Sequence, residues 1–420
     1  MESLYSHLTH ILNTFPISEI DIFSIPIDAP APADEHHPFL LFQENHQLAI
    51  PKKVLLGLYA HLTQKLKHHH HHSPLETLHM TRILLIQNPD HQTALSLRRK
   101  LIPHNDHQEL LKKELELTSL LLSISSHAKS SSLWSHRRWV FHALFHQAPA
   151  TRLCHDDESP ILQDAIYQPH THAIPLTQIE KELAFNLTAC DAYPRNYYAW
   201  FHRKWIMHQL IHSTPSSVSS SDHEKEEACD SERTRLLHFL SLHPRDHSAT
   251  NYISFLITTT TIPHATRVKF IQDVYTILAQ YPQYETVWSF LKFITISRTI
   301  TIREMVVLFN SHPDLSQLLH SLNNDDNFSM FVTHASSASG GHNTLAAQEL
   351  QVRERSLILC LRTLYFIGSH FQWAEWTDDV ALFLLLRLPP PAILSSPDQP
   401  PFSHSLHTKL KSLLERFIVR

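Results

Sequence analysis

The chain has 420 residues, is 42% hydrophobic and carries a formal net charge of −5 beside 37 histidines. That apolar fraction supplies a large core and excludes wholesale disorder, while the mildly acidic balance lacks the basic stripe a nucleic-acid binder needs. Only four glycines occur (Gly57, Gly340, Gly341, Gly368), none in a glycine-rich phosphate loop, which excludes P-loop and dinucleotide-fingerprint chemistry.

The amphipathic spacing of Leu4, Leu8, Ile11, Leu12 and Phe15 predicts a first helix over residues 1–23. Pro26, Pro30, Pro32 and Pro38 predict an extended segment, and a second helix is expected from about Lys53 to Lys67. The run His68–His72 reads as a low-complexity surface loop. Residues 1–74 thus form an N-terminal region of helices and linkers.

From residue 75 a register appears. Trp134-Ser-His-Arg137-Arg138-Trp139 and Trp200-Phe-His-Arg203-Lys-Trp205 are two Trp-x-His-Arg-x-Trp hexads 66 residues apart, in a chain with seven tryptophans. Aligning Leu95, Trp134, Trp200, Thr250 and Trp288 places Pro89, Ala128, Pro194, Pro244 and Pro282 six residues upstream. Proline there fits a turn or a first helical residue, where its missing N–H costs nothing. Apolar-periodic helices precede these turns over Leu75–Gln87, Glu109–Ser126, Thr177–Ala192, Glu232–Leu242 and Val268–Gln280. Each unit is helix, short turn, helix. The anchors are 39, 66, 50 and 38 residues apart, so a pair of about 38 residues is the base period. Two polar insertions, His146–Ile174 and Ser213–Ser231, account for the longer intervals.

The predicted fold is all-α, a solenoid of about five antiparallel helical hairpins over residues 75–300. A C-terminal helical extension over 301–420 follows. It has a flexible loop at 323–343, helices over Leu345–Leu388 and Leu406–Val419, and a proline-rich breaker at Pro389–Pro401. Cys154, Cys190, Cys229 and Cys360 form no Cys-x-x-Cys pair, the pattern of a reduced, cytoplasmic chain without structural zinc. No signal peptide stands out and no apolar run reaches about 18 residues, so no membrane span is expected.

On a helix, residues three apart share a face, so Trp134 and Arg137 form one pair and Trp200 and Arg203 another. The indoles read as packing between neighbouring hairpins. For Arg137 and Arg203 two uses stand open, pairing within the chain or contact with a partner subunit. His136 and His202 read as hydrogen-bonded structural histidines. Five residues before the tryptophans stand Lys129 and Arg195, the latter leading into Asn196-Tyr197-Tyr198. Equivalent turns of stacked repeats line one edge, where a cation and phenol hydroxyls suit an oxyanion such as diphosphate. An ordinary solvated lysine is the plainer alternative. No His-Glu-x-x-His or Gly-x-Ser-x-Gly motif occurs.

The segment Pro194-Arg-Asn-Tyr-Tyr-Ala-Trp200-x-x-Arg203 resembles the repeat of protein prenyltransferase α subunits, Pro-x-Asn-Tyr-x-x-Trp-x-x-Arg, and the likeness covers roughly residues 75–300. Asn88-Pro-Asp-His-Gln, Asp246-His-Ser, Tyr281-Pro-Gln-Tyr-Glu285-Thr-Val-Trp288 and the early Glu44-Asn-His-Gln-Leu narrow it toward a geranylgeranyl-transferring branch. The resemblance implies a crescent-shaped, right-handed α–α superhelix wrapped on a β subunit of the Rab geranylgeranyltransferase type. It implies that this partner holds zinc and geranylgeranyl diphosphate. The acceptor would carry a C-terminal cysteine, and an already prenylated SNARE fits that description. Lys129 is then the catalytic cation at the leaving diphosphate. Arg195, Asn196, Tyr197 and Tyr198 approach the same group, and Trp134, Arg137, Arg138, Trp200 and Arg203 serve the β-subunit interface or the repeat packing. The sequence departs from the family pattern in three places. Ser130-Ser131 replaces the Asn-Tyr that follows the lysine, Tyr198 stands where relatives carry His, and Ile253 and Leu291 replace the motif Arg. The rival reading is a non-catalytic scaffold of the tetratricopeptide type, whose 34-residue Trp-x-x-Leu-Gly-x-x-Tyr pattern is absent.

Overall fold

The computed structural model describes residues 1–24, 38–67, 72–102, 108–145, 174–212, 222–260, 262–297, 299–300, 304 and 308. The chain divides into two compact units, Met1–Cys229 and Asp230–Arg420. The expectations for 146–173, for most of 301–420 and for the bulk of the poly-histidine tract lie outside the described residues.

The N-terminal region differs from its expectation. Helix α1 (Glu2–Thr14) stops ahead of Pro16, and the chain re-enters as strand β1 (Glu19–Phe23). Strands β2 (Leu40–Phe42) and β3 (Gln47–Pro51) complete a three-stranded sheet in the order β1-β3-β2. β1 runs parallel and β2 antiparallel to β3. The spacing of apolar residues is helical only as far as Phe15. Beyond it Ile20, Leu48 and Ile50 are buried while Glu19 and Asp21 face out, the period-2 pattern of a half-buried strand. Gln43–Asn45 and His46 form the turn between β2 and β3, with His46 in the left-handed region, and the Gln47-Leu48 that follows opens β3. Helix α2 (Lys52–Leu66) follows as predicted.

The repeats appear as paired helices. In the first unit they are α3 (Pro74–Gln87) with α4 (Gln92–Leu101), α5 (Gln108–Ser123) with α6 (Ser131–Phe145), and α7 (Leu176–Ala192) with α8 (Tyr197–His212). α3 packs on α5 and α5 on α7, while α6 packs on α8, so first helices form one layer and second helices another. Helix α9 (Asp222–Leu242), which spans the division, starts ten residues before the expected Glu232. The described part of the run read as a polar loop holds Glu224, Lys225, Glu226, Glu227 and Ala228, all strong helix formers, and Ala228 finds a buried position. In the second unit α10 (His247–Thr259) packs on α12 (Glu285–Ile296), and α11 (His264–Ala279) packs on the same helix.

A buried ionic ladder ties consecutive hairpins together. Arg98 of α4 grips Glu114 of α5 with both ends of its guanidinium (2.8 and 2.6 Å), and its third nitrogen donates to the Leu78 carbonyl and the Thr81 hydroxyl of α3. His136 of α6 reaches the same carboxylate from the other side (2.6 Å). One repeat on, Arg137 grips Glu182 of α7 at 2.6 Å through each oxygen while bonding Leu115, Thr118 and Ser119 of α5. His202 of α8 completes that carboxylate at 2.7 Å. Arg203 continues the pattern onto the Leu183 carbonyl (2.6 Å). In the second unit Tyr252 stands where the histidine stood and donates to the buried Glu232 (2.8 Å).

Burial alone would raise the carboxyl of Glu114, but Arg98 and His136 outweigh it and hold the group far below the ordinary carboxylate range. Glu182 is held at about 2 by the same contest, with Arg137 and His202 opposing its burial. Breaking such a pair strands a buried charge, whereas removing both members does not. Arg137→Met is therefore expected to cost about 3–5 kcal/mol, and Arg137→Met/Glu182→Met clearly less. Urea unfolding followed by circular dichroism tests this; a single variant as stable as wild type would show that the ladder does not hold the repeats together.

Candidate functional site

The site is built at the turns joining the helices of the second and third hairpins. Four of the five second helices open on a polar cap at one repeat position, four residues before the anchor. His91 Nδ1 accepts from the Ala94 N–H, Ser130 Oγ from Leu133, Asn196 Oδ1 from Ala199, and Asp246 from Ser248 and Ala249. These caps satisfy amide groups that a helix start leaves without partners. The sequence reading did not single them out, although the column His91, Ser130, Asn196, Asp246 carries their signal.

The caps also bind turn to turn. Ser130 Oγ donates to Asp90 of the preceding turn at 2.6 Å. Asn196 Nδ2 donates to the Ala128 carbonyl at 2.6 Å, and the Trp134 indole N–H reaches that same oxygen at 2.8 Å. The second unit repeats the device, with Thr286 donating to the Pro244 carbonyl (2.6 Å) and the Trp288 indole to the Pro282 carbonyl (2.7 Å). Trp134 and Trp288 are thus both fillers and latches on their own turns. Trp134, fully buried, packs on Phe185 and His202 of the next hairpin. Trp200 is equally buried, with the Arg203 guanidinium 6.0 Å from its ring.

The sequence-predicted residues divide cleanly. Arg137 and Arg203 are buried and make their hydrogen bonds inside the chain. Asn196, grouped with the diphosphate-facing residues, is instead a strut: it is fully buried and both ends of its amide are engaged in holding two turns together. Arg138 is half-buried, its guanidinium 5.1 Å from the Phe201 ring. Lys129 and Arg195 are exposed on turns clamped to each other, and Tyr197 and Tyr198 stand 61% and 38% exposed at the start of α8. Tyr197 packs edge-on to Tyr198 and stacks on Phe201. Arg195 has a φ of 57°, a left-handed conformation that side chains other than Gly and Asn seldom hold and that tends to cluster at functional positions. The Lys129 ammonium lies 4.2 Å from the centre of the Tyr193 ring, a contact the sequence did not suggest.

The edge presents two cations and two accessible phenols, a set able to hold the oxygens of a phosphate or diphosphate. Among the described residues no group of three His, Cys, Asp or Glu side chains is placed to hold a metal ion. No helix among them is long and apolar enough to cross a membrane.

Comparison with known proteins falls on these hairpins. The protein prenyltransferase alpha subunit repeat matches residues 111–144 and 179–210, which are α5 with α6 and α7 with α8. The chain thus carries protein prenyltransferase alpha subunit repeats, in a helical-repeat fold. It is 28% identical over 182 residues to protein prenyltransferase alpha subunit repeat-containing protein 1-B of Xenopus laevis, covering 43% of this chain and 37% of that protein. The human protein prenyltransferase alpha subunit repeat-containing protein 1 is 27% identical over 186 residues, 43% of this chain and 40% of its own length. The match spans about two fifths of the length of these relatives.

His202 lies among Trp134, Trp205 and Phe141, and its Nδ1 is buried without a hydrogen bond. Burial lowers it to about 4, against the pull of Glu182. A depressed histidine contributes stability in full above its ordinary value near 6.5, and loses it as the pH falls toward 4. Glu182 keeps its contribution until the pH passes below the ordinary carboxylate value of about 4.3. The chain is therefore expected to lose stability from about pH 6.5 downward, and His202→Gln to flatten that slope by up to about 1.4 kcal/mol per pH unit. Denaturation midpoints of both proteins between pH 7 and pH 5 measure it; parallel curves would mean that His202 is not buried neutral.

Proposed function

We propose that this chain is the α-type subunit of a heterodimeric protein prenyltransferase, inactive alone and completed by a β subunit of the Rab geranylgeranyltransferase type. The observation carrying this reading is the division of the repeat motif. Its Trp, His and Arg are buried in the packing, while Lys129, Arg195, Tyr197 and Tyr198 stand exposed at one edge of the two repeats matched to the family. Activation of the acceptor cysteine by zinc and the pocket for the geranylgeranyl chain belong, in this reading, to the β subunit. The contribution of this chain is electrostatic. As the thiolate sulfur bonds to C1 of the isoprenoid, the C1–O bond breaks and charge gathers on the departing diphosphate, where the Lys129 ammonium and the Arg195 guanidinium stabilise it. The phenol hydroxyls of Tyr197 and Tyr198 donate to the same oxygens. The acceptor is a cytoplasmic protein ending in a cysteine that needs a lipid anchor, of which a singly prenylated SNARE is one kind.

Reconstitution tests this. Transfer of labelled geranylgeranyl to a cysteine-terminated acceptor is expected only when chain and β subunit are combined. Lys129→Ala is expected to lower kcat by about tenfold while the two subunits still co-elute. A stable complex that transfers nothing would favour the scaffold reading, and undiminished turnover in the lysine variant would take Lys129 out of the chemistry.

A further inference from the structure

The contact between Lys129 and Tyr193 is not foreshadowed by the sequence motif. Two serines, Ser130-Ser131, follow the lysine directly. Ser130 is fully used, capping α6 and holding Asp90. The second turn therefore brings no ring of its own to the lysine. A ring arrives from the third turn instead: Tyr193, half-buried at the end of α7, lies beneath the ammonium at 4.2 Å.

Three observations make this contact a built one. The Ala128 carbonyl, one residue before Lys129, is held by the side-chain amide of Asn196, three residues after Tyr193, so a side-chain-to-backbone hydrogen bond fixes the spacing of the two turns that carry the pair. The Trp134 indole grips the same carbonyl, so the lysine's turn cannot shift independently of the helix behind it. A second exposed cation at the Lys129 position, Arg245 of the second unit, also lies over a tyrosine of the following turn, 4.5 Å from the ring of Tyr284, although that ring stands three residues later in its repeat than Tyr193 does. Two turns thus lean a cation forward onto a tyrosine of the turn that follows. A ring covers one side of an ammonium and leaves its other N–H groups free to donate.

We infer that Tyr193 is the positioning residue for Lys129, its ring reaching in from the neighbouring repeat and holding the ammonium ready for diphosphate oxygens. The inference rests on the transferase reading for its catalytic consequence. The contact and its effect on anion binding do not.

The test has two arms. In the full chain alone, the ε-CH2 resonance of Lys129 is expected upfield through the ring current in wild type and Tyr193→Phe, and at its ordinary position in Tyr193→Leu. Inorganic pyrophosphate should move that resonance, with affinity weakened about two- to fivefold in Tyr193→Leu, the size of an exposed cation–π contact. In the reconstituted enzyme, Tyr193→Leu should lower kcat by a similar factor with acceptor KM unchanged. Tyr193→Phe should match wild type, and Lys129→Ala/Tyr193→Leu should be no slower than Lys129→Ala. An unshifted wild-type resonance, equal pyrophosphate affinity in Tyr193→Leu, or additive losses in the double variant would each overturn the positioning role. Loss in Tyr193→Phe equal to that in Tyr193→Leu would overturn it as well, since the hydroxyl and not the ring would then be acting. Should wild type transfer nothing with the β subunit while the pyrophosphate response persists, the transferase reading fails and the hold of Tyr193 on Lys129 stands.

Discussion

Each hairpin of the first unit is joined to the next by an arginine whose guanidinium is divided between two repeats. One side bonds carbonyls and hydroxyls of its own hairpin, and the other side takes the carboxylate of the following one. Everything exposed at the turns inherits its position from that arrangement. Two buried charges facing each other cost desolvation that their attraction only partly offsets, so the ladder adds less net stability than its short distances suggest. What it enforces is register. A hairpin sliding by one helical turn would leave Arg137 and Glu182 each buried and uncompensated.

The histidine of the motif has a related task. Arg99 Nε donates to His136 Nδ1 at 3.2 Å, which leaves Nε2 as the N–H that faces Glu114. The carboxylate is then filled by a bidentate guanidinium and a neutral imidazole, the satisfied state a buried charge requires. Tyr252 meets Glu232 with a phenol hydroxyl in the same role, and Ile253 follows in place of arginine. The departure of the fourth repeat from the motif is therefore a change in how the carboxylate is satisfied, while the hairpin itself persists.

Burial and exposure divide the motif by function. The Trp, His and Arg positions face inward because stacked hairpins have no other way to cover their apolar faces. The turn positions immediately upstream face out, and their cations and phenols can be spent on a ligand or partner without cost to the core. Turns tied to one another by Asn196 and Ser130 supply a rigid mount for those groups, which is what a site stabilising developing charge needs.

Helices, their pairing and their approximate ends were legible in the sequence because periodicity, proline punctuation and repetition are local signals. The paired hexads, together with Pro194-Arg-Asn-Tyr-Tyr, carry the likeness to the repeat that matches residues 111–144 and 179–210. Three things were not legible. The small sheet escaped because its strands are short and its parallel pair is separated in sequence. The carboxylates Glu114 and Glu182 escaped because a glutamate on a helix reads as a solvated face until a partner helix covers it, though Glu182 and Glu232 each stand twenty residues before the side chain they bind. The engagement of Asn196 between two turns was not legible because an amide at a helix start reads equally as ligand or cap, and its bond to the Ala128 carbonyl forms only when the turns stack. The sequence by itself determined which residues recur and hence that hairpins stack. Tertiary structure alone decided which recurring side chains are consumed and which remain available, because that depends on what the next repeat brings within hydrogen-bonding distance.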